Sequence, residues 1–528
     1  MKKPHSRMGK RRAIVLVAVQ LFILGHILWW LASGTTLTPL EPSEAMEFSK
    51  EGIVNAGLIL FTVATLATLI FGRYFCGWGC HLLLLQDLCR WLMLKVGIRP
   101  RPFRSRTLRL VPMLAFAYMF LWPIVQRIRL GHPAPEMSVQ LSTNSFWATF
   151  PGPFESTLTL VVAGFVVIYL LGSKAYCTYA CPYGGIFGAM DNFSVGRIRV
   201  DDSCKQCGKC TAACSSDVRV HEEVRDFGMV MDPNCMKTMD CIAACPNDAL
   251  SFSFGKPAVL AKQRADGRKS KIGVPTWPEE MLLVAAYAFG FFATHALYGR
   301  FPFLLALGFG MMASFGALTF KRLLQRKDYT FNTKPLKRAG KFTKRGYVHL
   351  LLILGSASLL GHSLWVQQHR WARDAAFAET NFHRSMWLRG EFSIETISVE
   401  SQAAMDTAAE EAAWLAEHGL VREDLNPFVD GWNQLFDGSP AGFEQKIQEV
   451  LELRPGFGEV QLQYAYYLMN LQRFHDATIQ MDAVSKRDPR YLDARRSAIA
   501  LQQRLGNIEE ADRRIAALEA EGFDLEAQ

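Results

Sequence analysis

Seven apolar runs, at residues 13–31, 53–71, 110–125, 158–171, 281–297, 301–320 and 348–366, decide most of what this chain can fold into. Most approach the ~20 residues that a helix needs to cross a bilayer. The fourth run is the shortest, and Thr157 and Gly172 extend it. The first is too long for a removable signal peptide and lacks its small-residue cleavage site. These runs explain why 50% of the 528 residues are hydrophobic. The chain reads as a polytopic α-helical membrane protein with about seven spans.

Charge orients the spans. Residues 1–12, 95–109, 262–271 and 321–345 are basic, and the last stretch holds ten Lys/Arg against the single Asp328. Alternating the spans brings all four to one side, the cytoplasm by the positive-inside rule. Arg127 and Arg129 are the exceptions outside. The net charge of +9 is explained by this topology, and no nucleic-acid motif accompanies it. The N-terminus and the segment between spans four and five would face the cytoplasm, and the C-terminal tail the periplasm.

That inner segment carries the chemistry. Cys204, Cys207, Cys210 and Cys214 follow C-x2-C-x2-C-x3-C, and Cys235, Cys241 and Cys245 follow closely, ending in Cys245-Pro246. Such spacing lets one tight turn aim three thiolates at one iron–sulfur cluster, while the fourth cysteine of each run reaches the other cluster. Cluster one then takes Cys204, Cys207, Cys210 and Cys245. Cluster two takes Cys214, Cys235 and Cys241, and its remaining slot falls on Thr238. A hydroxyl is a poor iron ligand. Cluster two is therefore expected to be a three-iron cluster, or a four-iron cluster completed by water, hydroxide or an oxygen such as that of Asp240. Ser215 stands where proline usually follows the first run. A zinc site or disulfides fit less well, because zinc ribbons favour two separated C-x2-C pairs. Lys205, Lys209 and Lys237 are either cations that favour the reduced clusters or solvated surface residues.

Two further cysteine pairs stand at membrane edges. Span two runs into Arg73-Tyr74-Phe75-Cys76-Gly77-Trp78-Gly79-Cys80, and span four into Lys174-Ala175-Tyr176-Cys177-Thr178-Tyr179-Ala180-Cys181. The two align at an offset of 101 residues. Basic and aromatic residues suit an interfacial anchor. The pairs either converge into one four-thiolate metal or cluster site, or pack as unmetallated thiols. Cys89 reads as a buried structural thiol.

The tail, residues 367–528, has 16 Lys/Arg and 28 Asp/Glu, net −12, and no cysteine. All twelve cysteines thus fall on the inner side, away from an oxidising compartment. Pro455 and Pro489 are 34 residues apart, as are Ala477 and Ala511. Amphipathic helices are expected at 459–471, 474–486, 491–505 and 508–518, with a capping helix at 441–453. Thirty-four residues is the tetratricopeptide period; an ordinary helical hairpin domain is the alternative. Either is a docking module without a nucleophile, metal or phosphate motif.

The domain reading is a membrane domain over 1–195, an inserted α+β ferredoxin-like di-cluster domain over 196–258, a second membrane part over 259–366, and an all-α tail over 367–528, with tetratricopeptide-like repeats from about 440. Ionisable residues inside membranes are functional candidates by default. His26, His295 and His362, near the outer ends of spans one, five and seven, are thus candidates for haem or quinone, or polar packing residues. No C-x-x-C-H haem motif is present.

The combination resembles the polyferredoxin membrane proteins of the NapH, NosR and CcoG type. Phe75–Cys80 and Tyr176–Pro182 match their C-G-W/Y-x-C-P and C-x3-C-P hallmarks, and the paired cysteine runs follow. The resemblance covers about residues 50–256. His81 stands where the family has proline, Thr238 replaces a cluster cysteine, and the tail is unlike the CcoG type. The long flavin-binding N-terminal region of the NosR type is absent. The resemblance implies electron transfer at the bacterial inner membrane. The leading reading is an electron carrier, alone or as an oxidoreductase subunit, linking quinol or a ferredoxin-like cytoplasmic donor to a periplasmic protein held by the tail. The alternatives are an assembly factor that reduces copper for a respiratory metalloenzyme, and a redox sensor or scaffold.

Overall fold

The computed structural model describes residues 7–131, 133–143, 152–264, 274–380, 397–423, 425–454, 457–487 and 492–520. They form two compact units: Met1–His295 with Phe301–Leu360, and Ala296–Arg300 with Gly361–Gln528. The cysteine-rich segment falls in the first unit, with all the long apolar helices except the second half of Lys344–Glu379.

Among the described residues, five helices are long and apolar enough to cross a membrane: Met8–Ser33, Leu108–Arg129, Pro153–Leu171, Phe303–Gln325 and Lys344–Glu379. The other two apolar runs are helical but shorter or more polar. Helix Ala56–Phe71 starts three residues later than its run, because Ile53–Val54 pair as a short parallel strand with Ser138–Val139. Asn55 then caps the helix, its side chain accepting from Leu58 N. Helix Trp277–Thr294 opens on a capping box between Thr276 and Glu279, which draws polar residues into its first turn. It lies against Phe303–Gln325 at small residues: a Cβ on Gly290 would come 2.6 Å from Ala313 Cβ. Two spans contain π-helical stretches, Ala117–Leu121 and Leu160–Val166. The first lies just before Pro123, which has no N–H for the carbonyl one turn back.

The cysteine-rich segment is a small α+β fold inserted between spans. Strand Gly196–Val200 pairs antiparallel with Leu250–Phe254, in register Ile198↔Phe252. Between them run helices Lys209–Ala213, Val220–Phe227 and Asp240–Ala243. The backbone repeats itself at an offset of 31 residues. Gln206 and Lys237 have φ 51° and 49°, Gly208 and Met239 have 70° and 60°, and Asp217 and Asp248 have 66° and 51°. Non-glycine residues adopt this region rarely, so the recurrence marks one loop built twice.

The second unit is helical. Its core gathers Met405, Trp432, Phe443, Ile447, Ala465 and Met481, all shielded from solvent. Helices Pro440–Leu453, Phe474–Arg487 and Ile508–Ala520 start 34 residues apart, and so do Gly458–Asn470 and Leu492–Arg504. Phe443, Ala477 and Ala511 occupy equivalent positions and are fully buried. Helix Pro440–Leu453, expected as a cap, is therefore in phase with the two later helices, and Leu425–Phe436 precedes it. Pro455, Pro489 and Tyr491 lie outside the described residues. The unit begins six residues before the expected boundary at 367 and recruits Ala296–Arg300, where Tyr298 Oη accepts from Leu420 N at 3.0 Å.

Candidate iron–sulfur and membrane-edge thiol sites

Cys204, Cys207, Cys210 and Cys245 line one small cavity with His221, Pro246 and Leu250. The loop of the first run supplies three of these thiols. The fourth arrives from the second run, after helix Asp240–Ala243. His221 is held by Thr211, whose Oγ1 lies 2.7 Å from its Nδ1.

The second loop brings Cys214, Cys235 and Cys241 within electrostatic reach of one another. Burial pushes the Cys214 thiol up to about 12 and the Cys241 thiol well above its ordinary value. Thiolates at these depths need a compensating cation, which bound iron supplies. Thr238 occupies the loop position that Cys207 holds in the first repeat, and it is buried. Cys210 of the first set also lies within reach of Cys241, so the two sets are neighbours. The residues present therefore fit two clusters, one with four thiols and one with three.

The membrane-edge pairs follow a common plan. Each span ends at a glycine with positive φ, Gly72 or Gly172. A buried cation follows, Arg73 or Lys174. Then come the five-residue helices Tyr74–Trp78 and Ala175–Tyr179, which carry Cys76 and Cys177. Cys80 and Cys181 are the N-cap residues of helices His81–Lys95 and Pro182–Asp191. The structure brings the four thiols together: Cys80 is within reach of Cys76 and Cys177, and Cys181 of all three others. Backbone N–H groups of Leu82 and Leu83 face Cys80, and that of Gly184 faces Cys181. Among the described residues, no three His, Cys, Asp or Glu side chains are close enough to hold a single metal ion.

The thiol quartet and the second cysteine loop meet directly. Met236, next to Cys235, is fully buried against Cys177, with Cys76 and Cys80 alongside. Trp78 Nε1 donates to Lys237 O at 2.9 Å. A Cβ on Gly77 would lie 1.9 Å from Met236 O, so only glycine permits this approach. Lys237 itself is fully buried and ion-paired with Asp191 at 2.8 Å. That excludes a solvated role for Lys237, whereas Lys205 and Lys209 are exposed.

Other expected residues find local partners. Asp240, considered as an oxygen ligand, instead accepts from Ser215 Oγ at 3.2 Å and from Arg12 Nη1 at 3.3 Å. His26 Nε2 lies 3.1 Å from Leu37 O, and the His295 ring stacks on Phe291 at 5.1 Å. His362, in the second unit, has a buried Nδ1 without a hydrogen-bond partner. Cys89 is buried, packed with Met93 and Ile168. The sequence did not single out Asp191, Arg197 or Gln86. Their signal is three-dimensional: polar groups far apart in the chain, buried at one junction.

Family models match the same segments. A 4Fe-4S dicluster domain matches residues 196–246. A 4Fe-4S binding domain matches twice, at 55–99 and 156–201, and the two starts are 101 residues apart, like the cysteine pairs. The chain is 27% identical over 210 residues to the ferredoxin-type protein NapH of Haemophilus influenzae, covering 38% of this chain and 68% of that one. It is 25% identical over 274 residues to the methylamine utilization ferredoxin-type protein MauN of Methylorubrum extorquens, covering 48% and 90%. It is 28% identical over 220 residues to the putative electron transport protein YccM of Escherichia coli, covering 40% and 59%. No solved structure matches.

Fold, cysteine geometry and these matches define a membrane protein that carries iron–sulfur clusters. Within that class it is similar to the ferredoxin-type electron-transport membrane proteins NapH, MauN and YccM.

Proposed function

We propose that the protein conducts single electrons between a donor, quinol or a soluble ferredoxin-like protein on the cytoplasmic side, and a redox partner in the periplasm. Cluster one is assigned to Cys204, Cys207, Cys210 and Cys245, and cluster two to Cys214, Cys235 and Cys241 with Thr238 in the vacant slot. When bound, the clusters supply one-electron carriers; the chain's residues set their potentials through charge, hydrogen bonding and burial. A quinol releases two electrons and two protons, so a quinol donor would load such carriers singly. The positive-inside charge pattern supports cytoplasmic clusters, which leaves the acidic helical tail outside as a tetratricopeptide-like dock for the partner.

The observation that carries this reading is the junction at Met236. The second cysteine loop lies against the membrane-edge thiols without an intervening layer, which gives the soluble-type clusters a contiguous contact with the bilayer surface. The test uses the purified full-length protein in nanodiscs, mixed anaerobically with menadiol and followed by EPR. Reduced-cluster signals that appear with turnover support the reading. Clusters that neither menadiol nor reduced ferredoxin can reduce would refute it.

A further inference from the structure

Among the cations buried near the thiol quartet, most have a carboxylate. Lys174 pairs with Asp87, Arg12 with Asp87 and Asp240, and Lys237 and Arg197 with Asp191. Arg73 differs. It is 1% exposed, and its Nη1 donates to Pro233 O at 2.9 Å. Its Nε and Nη2 are buried and meet no carboxylate, and the side chain within hydrogen-bonding reach of the guanidinium is Cys76. The groups that act on its charge are Cys76, then Cys177, then Asp191, whose carboxylate is already ion-paired with Lys237 and Arg197. Gly184 leaves room for the guanidinium: a Cβ there would come 3.1 Å from Nη2 and 2.7 Å from Cys177 O.

One more orphaned polar atom borders the same thiols. Gln86 donates from Nε2 to Cys177 Sγ at 2.9 Å, yet its Oε1 is buried without a partner. A buried cation without an ion-paired carboxylate of its own is strongly unfavourable unless another anion meets it. Four thiolates holding an iron–sulfur cluster are such an anion, and guanidinium N–H groups make short charge-assisted hydrogen bonds.

The repeat makes the point sharper. Lys174 is the counterpart of Arg73, and its charge is already met by Asp87. Only one of the two equivalent cations is left for a ligand, and it is the one with the planar fork of donors. The N-cap positions of Cys80 and Cys181 add helix N-termini, which also favour negative charge.

We propose that Arg73 is the hydrogen-bonding counter-ion of a third iron–sulfur cluster held by Cys76, Cys80, Cys177 and Cys181, and that it raises the cluster's midpoint potential. This deepens the electron-transfer reading and rests on it for its purpose, but not for its test. Reduction adds negative charge, so a fixed cation and its donors stabilise the reduced form more than the oxidised one.

The experiment measures iron and acid-labile sulfide per chain, and EPR-monitored redox titrations, on the full-length protein in nanodiscs. Cys76→Ser/Cys177→Ser should carry about four fewer iron atoms than the wild type while the ferredoxin signals persist. Arg73→Met should shift the third cluster's oxidised-to-reduced ratio about tenfold toward oxidised, about 59 mV for one electron. Arg73→Lys, which keeps charge and is the gentler change, should shift it less. Equal iron in the thiol variant and the wild type overturns the proposal, and so does an unchanged potential in Arg73→Met. A third cluster tuned by Arg73 but unreduced by menadiol or ferredoxin would remove the proposed function and leave this inference standing.

Discussion

The Lys237 ammonium lies 2.8 Å from the Asp191 carboxylate, with both side chains fully excluded from solvent. Asp191 closes the helix that follows the second cysteine pair, and its carboxylate also accepts from the backbone N of Arg73, at the first pair. Arg197 donates to it from the ferredoxin strand at 3.2 Å. One carboxylate thus ties both membrane-edge motifs to the loop that carries Cys235 and Thr238.

Removing Asp191 leaves the buried cations of Lys237 and Arg197 without their carboxylate, at a cost of about 3–5 kcal/mol. Asp191→Leu should therefore lower the thermal midpoint clearly and release iron from cluster two first, and Lys237→Met, which leaves Arg197 on Asp191, should do so less. Adding Lys237→Met to Asp191→Leu should recover part of the loss, because one buried cation fewer is left unpaired. Thermal melts with iron release followed in parallel check these statements.

Thr238 makes a spectroscopic prediction. The residues on either side of it repeat the backbone of those flanking Cys207, so a cysteine there is expected to act as a ligand. Oxidised wild-type protein should show a three-iron EPR signal, and Thr238→Cys should replace it with a four-iron signal on reduction. Two ordinary four-iron clusters in both proteins would mean that another ligand fills the slot.

Gly77 tests the junction itself. An alanine Cβ has no room beside Met236 O, and forced overpacking costs about 1–3 kcal/mol. Gly77→Ala should loosen the ferredoxin segment from the membrane thiols while leaving cluster one intact. Limited proteolysis near residues 196–258 should then speed up relative to the wild type.

Asp217 predicts a pH dependence. Burial raises its carboxyl to about 7, against the lowering effect of Arg104 and Arg109 and with a further rise from Asp232. Its folded value lies above the unfolded value of about 3.9. Its stabilising contribution is therefore complete below about pH 4 and is lost as pH rises through about 7. Denaturant midpoints should fall from pH 6 to pH 8, and Asp217→Asn should flatten that slope.

Charge in the sequence predicts sidedness. A reporter active only in the periplasm should work when fused after Gln528 and fail when fused near Lys262. The opposite pattern removes the tail as a periplasmic dock.

The cysteine spacing carried the di-cluster fold, because one short loop is geometrically bound to its ligands. The offset of 101 residues likewise foretold the paired motifs, and both reappear as matched helices and caps. Span boundaries were less legible. Asn55 and Thr276 start helices where hydropathy alone saw continuous or later runs. The repeat in the tail was half visible, because Phe443 stands where the later helices have Ala477 and Ala511. Asp191, Arg73 and Lys237 were hidden as functional neighbours, since only the folded chain brings positions over 100 residues apart into one buried network.

The central claim is that electrons pass between the ferredoxin loop and the membrane through the thiol quartet. The most direct test is freeze-quench EPR of full-length protein in nanodiscs after mixing with menadiol, comparing wild type with Cys76→Ser/Cys177→Ser. The account predicts that the variant keeps its ferredoxin clusters, as dithionite reduction would demonstrate, yet menadiol reduces them at least tenfold more slowly. Reduction of those clusters by menadiol at the wild-type rate would contradict it.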